Sequence, residues 1–357
     1  LRVVEEEICC SKTKVFIGRG VLKEAVREIP KGCKIALIRQ DSVDPSYLLQ
    51  KVGRIEIEIV LRGGEESKSI ESVLRIVGEL YSKGFDRSDY LVALGGGALS
   101  DTAGLAAALY LRGLNLVNVP TTLLAMVDAA VGGKVAVNMG NMKNVLGVFY
   151  QPSLVIIDLE FLSTLPKEEL VNGLAEVVKY AFTLDSELYS YLKSNNTSIL
   201  SMSGRALEEV IAMSVKNKLT VVREDPYDTK GVRVVLNYGH TVGHAIEALS
   251  HFRVGHGRAV AVGMVYEAIA GVELGYTKPH VVDKLVELLK AFGLPTSLEE
   301  VGLGSGISTE VFKAIVSRDK KVRRGKLLLP VVIDVGSWRA VEVPVEELVE
   351  VLVKCVK

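Results

Sequence analysis

Three histidines, a glutamate and a run of glycines have the types and spacings that could do chemistry. His240 and His244 lie four residues apart in Asn237-Tyr238-Gly239-His240-Thr241-Val242-Gly243-His244, so on a helix they share a face. His256 follows in Val254-Gly255-His256-Gly257, after a loop containing His251 and Phe252. A catalytic zinc takes three nitrogen or oxygen ligands and keeps a fourth position open. Two readings stand at this point: metal ligands waiting for a carboxylate, or polar histidines packed near a helix start.

A carboxylate occurs in Gly173-Leu174-Ala175-Glu176-Val177-Val178-Lys179, where Glu176 and Lys179 project from one side of a helix. The neighbours are apolar, so Glu176 points into a core or cleft, and a buried charge needs a partner or a metal. A simple intrahelical ion pair with Lys179 is the other reading. The glycines are in Gly95-Gly96-Gly97-Ala98-Leu99-Ser100-Asp101, after a strand and before a helix. There the backbone can approach a pyrophosphate and the helix offers amide donors. Ser100 stands where the usual dinucleotide fingerprint has its third glycine, so a strand-to-helix turn without a ligand is also open. Arg112, Asp128, Lys134, Asn138, Lys143, Asn144, Lys218, Arg233 and Asn237 are polar residues set in glycine-rich or apolar stretches. Asp128 and Lys134 are the hardest of these to read as surface, because Leu123 to Val137 is otherwise apolar or small.

The elements that must carry these residues change character near Pro166. Before it, buried strands such as Lys34 to Ile38, Tyr90 to Leu94, Leu116 to Val119 and Leu154 to Ile157 alternate with amphipathic helices such as Ser69 to Ser82. That alternation predicts a mostly parallel sheet covered on both faces. From Lys167 to about Gly293 the periodicity is helical, clearest in Glu168 to Ala181, Arg205 to Val222 and Thr241 to Leu249. Two β-rich runs, Lys326 to Ile333 and Ala340 to Val343, precede a last helix with Pro344 at its start. The expected architecture is an α/β N-terminal domain over 1–165 and a mainly α-helical C-terminal domain over 166–357. The active site is expected in the cleft between them, where ligands usually bind.

Composition narrows the function classes. The 43 basic and 43 acidic residues cancel, so no global field favours nucleic acid or an anionic membrane, and any anion site must be built locally. Cys9, Cys10, Cys33 and Cys355 form neither a C-x-x-C pair nor the disulfide framework of a small secreted domain. Leu1 to Ile8 carries three consecutive acids, the opposite of a signal peptide's basic flank. Apolar runs such as Leu105 to Leu111 fall far short of the roughly 18–20 residues that cross a bilayer. A reducing, cytoplasmic location is the expectation.

Other segments fall into order around these. They are Gly63-Gly64-Glu65-Glu66-Ser67-Lys68, the glycine turn, Tyr110-Leu111-Arg112-Gly113, Val119 to Asp128, Gly132-Gly133-Lys134, Lys143-Asn144, Asn172 to Lys179, Leu236 to Thr241 and Asp319-Lys320-Lys321. Any one is weak, but the ordered set resembles the 3-dehydroquinate synthases, of the sugar phosphate cyclase superfamily, from about Gly63 to Pro330.

The resemblance implies that Glu176, His240 and His256 bind Zn2+, with Co2+ as an alternative, and that NAD is the cofactor. NAD would lie against Gly63, Glu65, Lys68, Gly97, Asp101, Thr121, Thr122, Lys134, Lys143, Phe161 and Thr164. Gln40 falls where an acidic residue often contacts the adenosine ribose, which leaves Asp41 as its substitute. Asp128, Lys134, Asn144, Lys179, Lys218, Arg233, Asn237, His244 and Lys320 would line the substrate site. Arg112 would reach the phosphate held by the neighbouring subunit of a homodimer. The implied substrate is a seven-carbon sugar phosphate carrying a carboxylate, which Arg233 could clamp with paired hydrogen bonds. Cyclases that make inosose or valiolone products take substrates without a carboxylate, and Arg233 argues against them. Polyol dehydrogenases with a metal and NAD, and an NAD-binding sensor without catalysis, are the remaining alternatives.

Overall fold

The computed structural model describes residues 1–8, 11–140, 142–202, 205–303, 322–323 and 325–356. It forms two compact units, Leu1–Glu169 with Lys218–Tyr227, and Leu170–Asn217 with Asp228–Lys357.

In the first unit the elements are β1 (Arg2–Ile8), β2 (Ser11–Gly18), α1 (Leu22–Ala25), β3 (Ile35–Gln40), α2 (Ser46–Val52), β4 (Ile57–Leu61), α3 (Ile70–Ser82), β5 (Tyr90–Gly95), α4 (Gly97–Leu109), β6 (Asn115–Pro120), β7 (Lys134–Met139), β8 (Met142–Phe149) and β9 (Leu154–Asp158). Seven strands form one sheet in the order β1-β2-β9-β6-β5-β3-β4, parallel except for β1. Successive residues of a strand face opposite sides, and both sides here are covered. Ala36, Ile38, Leu91 and Ala93 pack with Ile76 and Leu80 of α3 and Ala103 and Ala106 of α4. Leu37, Val92 and Leu94 pack on the other face with Leu22 and Ala25 of α1 and Leu48 of α2. This is the parallel sheet that the continuous apolar runs foretold. Ser69 caps α3, its side chain accepting from the Ser72 N–H at 3.2 Å.

Two hairpins were not foreseen. In β1 and β2 the acids that read as a charged opening segment lie across from bases, Glu5 opposite Lys14 and Glu7 opposite Lys12. Opposite charges in register stabilise a cross-strand pair. In β7 and β8, Val135 and Val137 are buried while Lys134 and Met139 are exposed. That short alternation was hidden among small residues.

The chain continues through α5 (Lys167–Thr183), α6 (Ser186–Leu200), α7 (Ala206–Glu224), α8 (His240–Leu249), α9 (His256–Glu273) and α10 (His280–Ala291). It ends in β10 (Val322–Arg323), β11 (Lys326–Asp334), β12 (Ser337–Pro344) and α11 (Val345–Val356), with the three strands antiparallel. In the second unit, Ala245 and Ile246 of α8, Val262 and Tyr266 of α9, Leu327 and Leu329 of β11 and Leu348 and Leu352 of α11 share one core. The ten residues Lys218–Tyr227 belong with the first unit although they are the end of α7 and the turn after it. Among the described residues, no helix is long and apolar enough to cross a membrane.

Candidate metal centre and nucleotide site

The second unit brings Glu176, His240 and His256 together, with one ligand atom from each lying within 4.8 Å of the others. Glu176 is on the fully buried stretch of α5, while His240 and His256 are the first residues of α8 and α9. The Nε2 atoms of His240 and His256 lie 3.6 and 3.4 Å from one oxygen of Glu176, Oε1. Its second oxygen, Oε2, accepts from Lys179 Nζ, which also donates to the Leu236 carbonyl at 2.9 Å. The intrahelical ion pair expected as an alternative is therefore present, and it coexists with a carboxylate oxygen aimed at two imidazoles.

The far nitrogens of both rings are also engaged. His240 Nδ1 is 3.2 Å from the Tyr238 carbonyl, and His256 Nδ1 is 3.4 Å from Glu247 Oε1. An oxygen on one ring nitrogen fixes the proton there and leaves the other nitrogen free to bind a metal. Glu247 escaped the sequence reading. It sits two helical turns beyond His240, a spacing that could have flagged it. Burial holds the His240 imidazole down at about 3 against the pull of Glu176, so it is neutral near pH 7. Burial would lower His256 as well, but hydrogen bonds to Glu176 and Glu247 overcome it and raise it to about 10. Two carboxylates thus hold a proton where a cation could sit. A nitrogen, nitrogen, oxygen donor set with oriented rings fits a zinc-like divalent ion. His244 is exposed one turn beyond His240, with ring centroids 5.4 Å apart, and is not among the converging ligand atoms.

Arg233, buried at 1% exposure, and the half-buried Asn237 lie on the short 3-10 helix Val232–Asn237, which packs on β11 and β12. Lys320 lies outside the described residues.

In the first unit several of the sequence-predicted nucleotide residues follow the carboxyl ends of parallel strands: Asp41 after β3, Gly63 after β4, Gly97 after β5, Thr121 and Thr122 after β6, and Phe161 and Thr164 after β9. The strand order reverses between β3 and β5, the place where such sheets bind ligands. At the end of β3, Asp41 is exposed and its Oδ1 accepts from the Gly63 N–H at 3.0 Å. Neighbouring Gln40 turns inward, its Oε1 accepting from the Gly96 N–H at 3.4 Å. Helix α4 opens at Gly97, and buried Ser100 directs its hydroxyl back to the Gly96 carbonyl at 3.3 Å. The serine that departs from the glycine fingerprint thus occupies the inner face of the turn.

Behind this turn, Lys68 Nζ pairs with Asp101 Oδ2 at 2.5 Å. Burial pushes the Asp101 carboxyl up to about 6, with Lys68 pulling it back. Asn138 links the β7–β8 hairpin to the same place, donating to Glu65 Oε2 at 2.7 Å and accepting from the Asn144 N–H at 2.9 Å. Thr121 follows β6 and donates its N–H to the Gly95 carbonyl. The Thr122 hydroxyl caps the next turn at Ala125 N–H, 3.2 Å away. Phe161 and exposed Thr164 follow β9, the Phe161 ring meeting Tyr47 edge-on at 5.5 Å.

Asp128 lies on a π-helical turn, Ala125–Ala129, a local geometry frequent at functional sites. Its carboxylate pairs with Lys218 at 2.7 Å. Lys134 is exposed at the start of β7, and Lys143 is half-buried on β8. Arg112 is not in this group. It is exposed beyond the other end of α4, and it and Leu111 have left-handed backbones, φ 66° and 47°.

Residues 58–172 match the 3-dehydroquinate synthase N-terminal family, and residues 173–322 match the 3-dehydroquinate synthase C-terminal family. The 3-dehydroquinate synthase of Saccharolobus solfataricus is 45% identical over 357 residues, covering 100% of both chains. Among solved structures, 2-deoxy-scyllo-inosose synthase complexed with carbaglucose-6-phosphate, NAD+ and Co2+ is similar. Its TM-score is 0.86 at 28% identity, over 98% of this chain and 100% of that one. The 2-epi-5-epi-valiolone synthase of Streptomyces hygroscopicus subsp. jinggangensis, with NAD+ and Zn2+ bound, has a TM-score of 0.81 at 26% identity, over 99% of both chains.

One prediction follows from the proton on His256. A divalent ion entering between Glu176, His240 and His256 must displace it, whereas His240 has none to lose near neutrality. Zn2+ affinity of the metal-free protein should therefore rise with pH, by about tenfold per unit between roughly pH 6 and 9. His240→Ala and His256→Ala should each remove stoichiometric metal, and His256→Ala should flatten the pH dependence of any weak binding left. Chelator competition across that range measures all three, and metal retained at one ion per chain in both variants would exclude this triad.

Proposed function

The chain belongs to the 3-dehydroquinate synthase family, and on that premise we propose that it converts 3-deoxy-D-arabino-heptulosonate 7-phosphate to 3-dehydroquinate and phosphate. The observation that carries this reading is the convergence of Glu176, His240 and His256 donor atoms within 4.8 Å, in a chain 45% identical end to end to a 3-dehydroquinate synthase. Those three residues would hold the Zn2+ or Co2+, and Asp41, Glu65, Lys68, Gly97, Asp101 and Lys143 would contact NAD. When bound, the nucleotide supplies a hydride acceptor and then donor for C5, and the ion supplies Lewis acidity at the C5 oxygen.

The chemistry sets tasks for the chain's own groups. Oxidation at C5 acidifies the C6 proton, and its loss expels phosphate. Reduction, ring opening and an internal aldol closure complete the carbocycle with no net redox change. Lys134 and Asn144 donate to the leaving phosphate, which is itself a base near the C6 proton. Asp128, Lys218, Lys179 and Asn237 orient substrate hydroxyls, and His244, exposed on the same helix as His240, relays protons. Holding the open-chain enolate beside its ketone supplies rate without further chemical groups. A cytoplasmic location and a small-molecule partner, rather than nucleic acid or membrane, belong to the same reading. The balanced formal charge supports the small-molecule partner over a polyanionic one.

Arg233 gives this reading its specificity. A guanidinium at 1% exposure is fixed in direction by its packing, and its planar fork suits a carboxylate. The reading also includes a homodimer in which Arg112 reaches the phosphate held by the neighbouring copy. Two features support it. Leu111 and Arg112 keep consecutive left-handed backbones that cost non-glycine residues energy, a strain found at functional segments. On β8 alone, Met142, Val145, Val148 and Phe149 are all exposed, an apolar face of the kind that marks an interaction surface.

Three outcomes are expected. Phosphate should be released many times per bound NAD with no net absorbance change at the NADH wavelength; steady NADH accumulation matching product would point to a polyol dehydrogenase. Arg233→Ala should lower kcat/KM for the heptulosonate phosphate by roughly 10- to 200-fold, the scale of a lost charge-assisted hydrogen bond. Arg233→Lys should recover only part of that, with metal content and NAD affinity unchanged, and normal turnover by Arg233→Ala would reopen the choice among cyclases. Arg112→Ala and His256→Ala proteins, each inactive, should regain roughly a quarter of wild-type activity when dissociated and reassociated together, because each mixed dimer has one complete site. No recovery, with mixed dimers demonstrated, would remove Arg112 from the neighbour's site.

A further inference from the structure

Both histidines of the triad are the first residues of their helices, the part of a helix most prone to fray. Neither helix supplies its own remedy. The residues before them, Gly239 and Gly255, have no capping side chain, where serine, threonine, aspartate or asparagine is preferred. The missing acceptors come from other helices. Asn172 Oδ1, on α5, accepts from Gly257 N–H at 2.6 Å and Arg258 N–H at 3.3 Å, in the first turn of α9. Glu267, on α9, accepts from Gly239 N–H at 2.8 Å through Oε2, and from Thr241 and Val242 N–H at 3.0 and 3.3 Å through Oε1, around the first turn of α8.

Both capping side chains are buried, Asn172 at 8% and Glu267 at 2% exposure. Asn172 stands one turn before Glu176 on α5, so one helix face carries both a ligand and the cap of another ligand's helix. The backbones meet without room for side chains. A Cβ on Gly257 would lie 1.8 Å from the Asn172 carbonyl oxygen, and one on Gly263 would lie 2.0 Å from the Gly239 carbonyl oxygen. The His256 Nδ1 contact with Glu247 of α8 closes the ring: α5 caps α9, α9 caps α8, and α8 orients the imidazole of α9.

We propose that Asn172 and Glu267 are positioning residues of the metal centre, fixing the first turns from which His256 and His240 project. This rests on the reading that the triad binds a divalent ion. Each cap acts on metal affinity and coordination geometry through the ligand, without touching the ion.

The test uses the full-length protein stripped of metal, then titrated with Zn2+ and with Co2+ against a chromophoric chelator, with the Co2+ visible spectrum recorded. Asn172→Leu and Glu267→Leu should each weaken binding by about 10- to 100-fold, the usual cost of losing a group that orients a ligand. Both should also change the intensity of the Co2+ bands. Asn172→Asp keeps the acceptor and should bind within about threefold of wild type. Glu267→Gln replaces one acceptor oxygen with an NH2 group that can only donate, so it should be weakened by about tenfold while remaining folded. If the leucine variants do not fold, the Asn172→Asp and Glu267→Gln pair decides alone. Wild-type affinity and spectrum in Glu267→Gln, or weak binding in Asn172→Asp, would overturn the proposal. A wild-type protein that does not bind the ion through the triad would overturn the metal reading instead.

Discussion

The second unit is organised around one buried charge. Glu176 has no measurable exposure, and a carboxylate taken out of water is tolerated only when cations or donors surround it. Lys179, equally buried and on the same helix, takes one oxygen, and two imidazoles face the other. Much else follows from that requirement. The rings must come from helices that pack closely, α9 on α5 at Gly257 and α9 on α8 at Gly263, and their far nitrogens must be held so that the near ones point inward.

The first unit meets the opposite problem with the same economy. A chain with no net charge has to build any site for an anionic ligand locally, and on the proposed reading paired lysines would serve it. Lys68 is held by Asp101 and Lys218 by Asp128, both lysines mostly out of water. A pre-paired lysine keeps its direction before a ligand arrives, so less side-chain freedom is lost on binding. The glycine turn at the head of α4 adds backbone donors where the strand order reverses, the one place on such a sheet where two loops diverge and leave a crevice.

Much of this was legible in the sequence. Continuous apolar runs marked β3, β5, β6 and β9, because a parallel strand buried on both faces needs no polar alternation. Helical periodicity marked α3, α5, α7 and α8 to within a residue or two. The triad was suggested by residue types and by family resemblance, but the alternatives for Glu176 were separated only by geometry, which makes it an ion-pair partner and a candidate ligand together. What stayed hidden depends on partners distant in sequence. Nothing near Gly239 or Gly255 announces a helix cap, since the acceptors lie 28 and 85 residues away from the N–H groups they serve. The β1–β2 hairpin was missed because its acidic and basic halves make sense only once paired, and β7–β8 because small residues blur a period of two.

The strip Lys218–Tyr227 has a consequence for how this chain is made. The first unit is not finished when its last sheet strand, β9, leaves the ribosome. Asp128 must wait for a lysine 90 residues further on, and all of α5 and α6 and the first part of α7 are synthesised in the interval. Vectorial synthesis therefore yields a sheet domain lacking one of its structural pieces until translation is well into the helical part. The same interleaving bears on descent. A single recombination break near residue 170 cannot exchange one unit for a homologous one without separating Asp128 from its own Lys218, so an exchange there keeps the first unit whole only if the incoming half brings a matching cation.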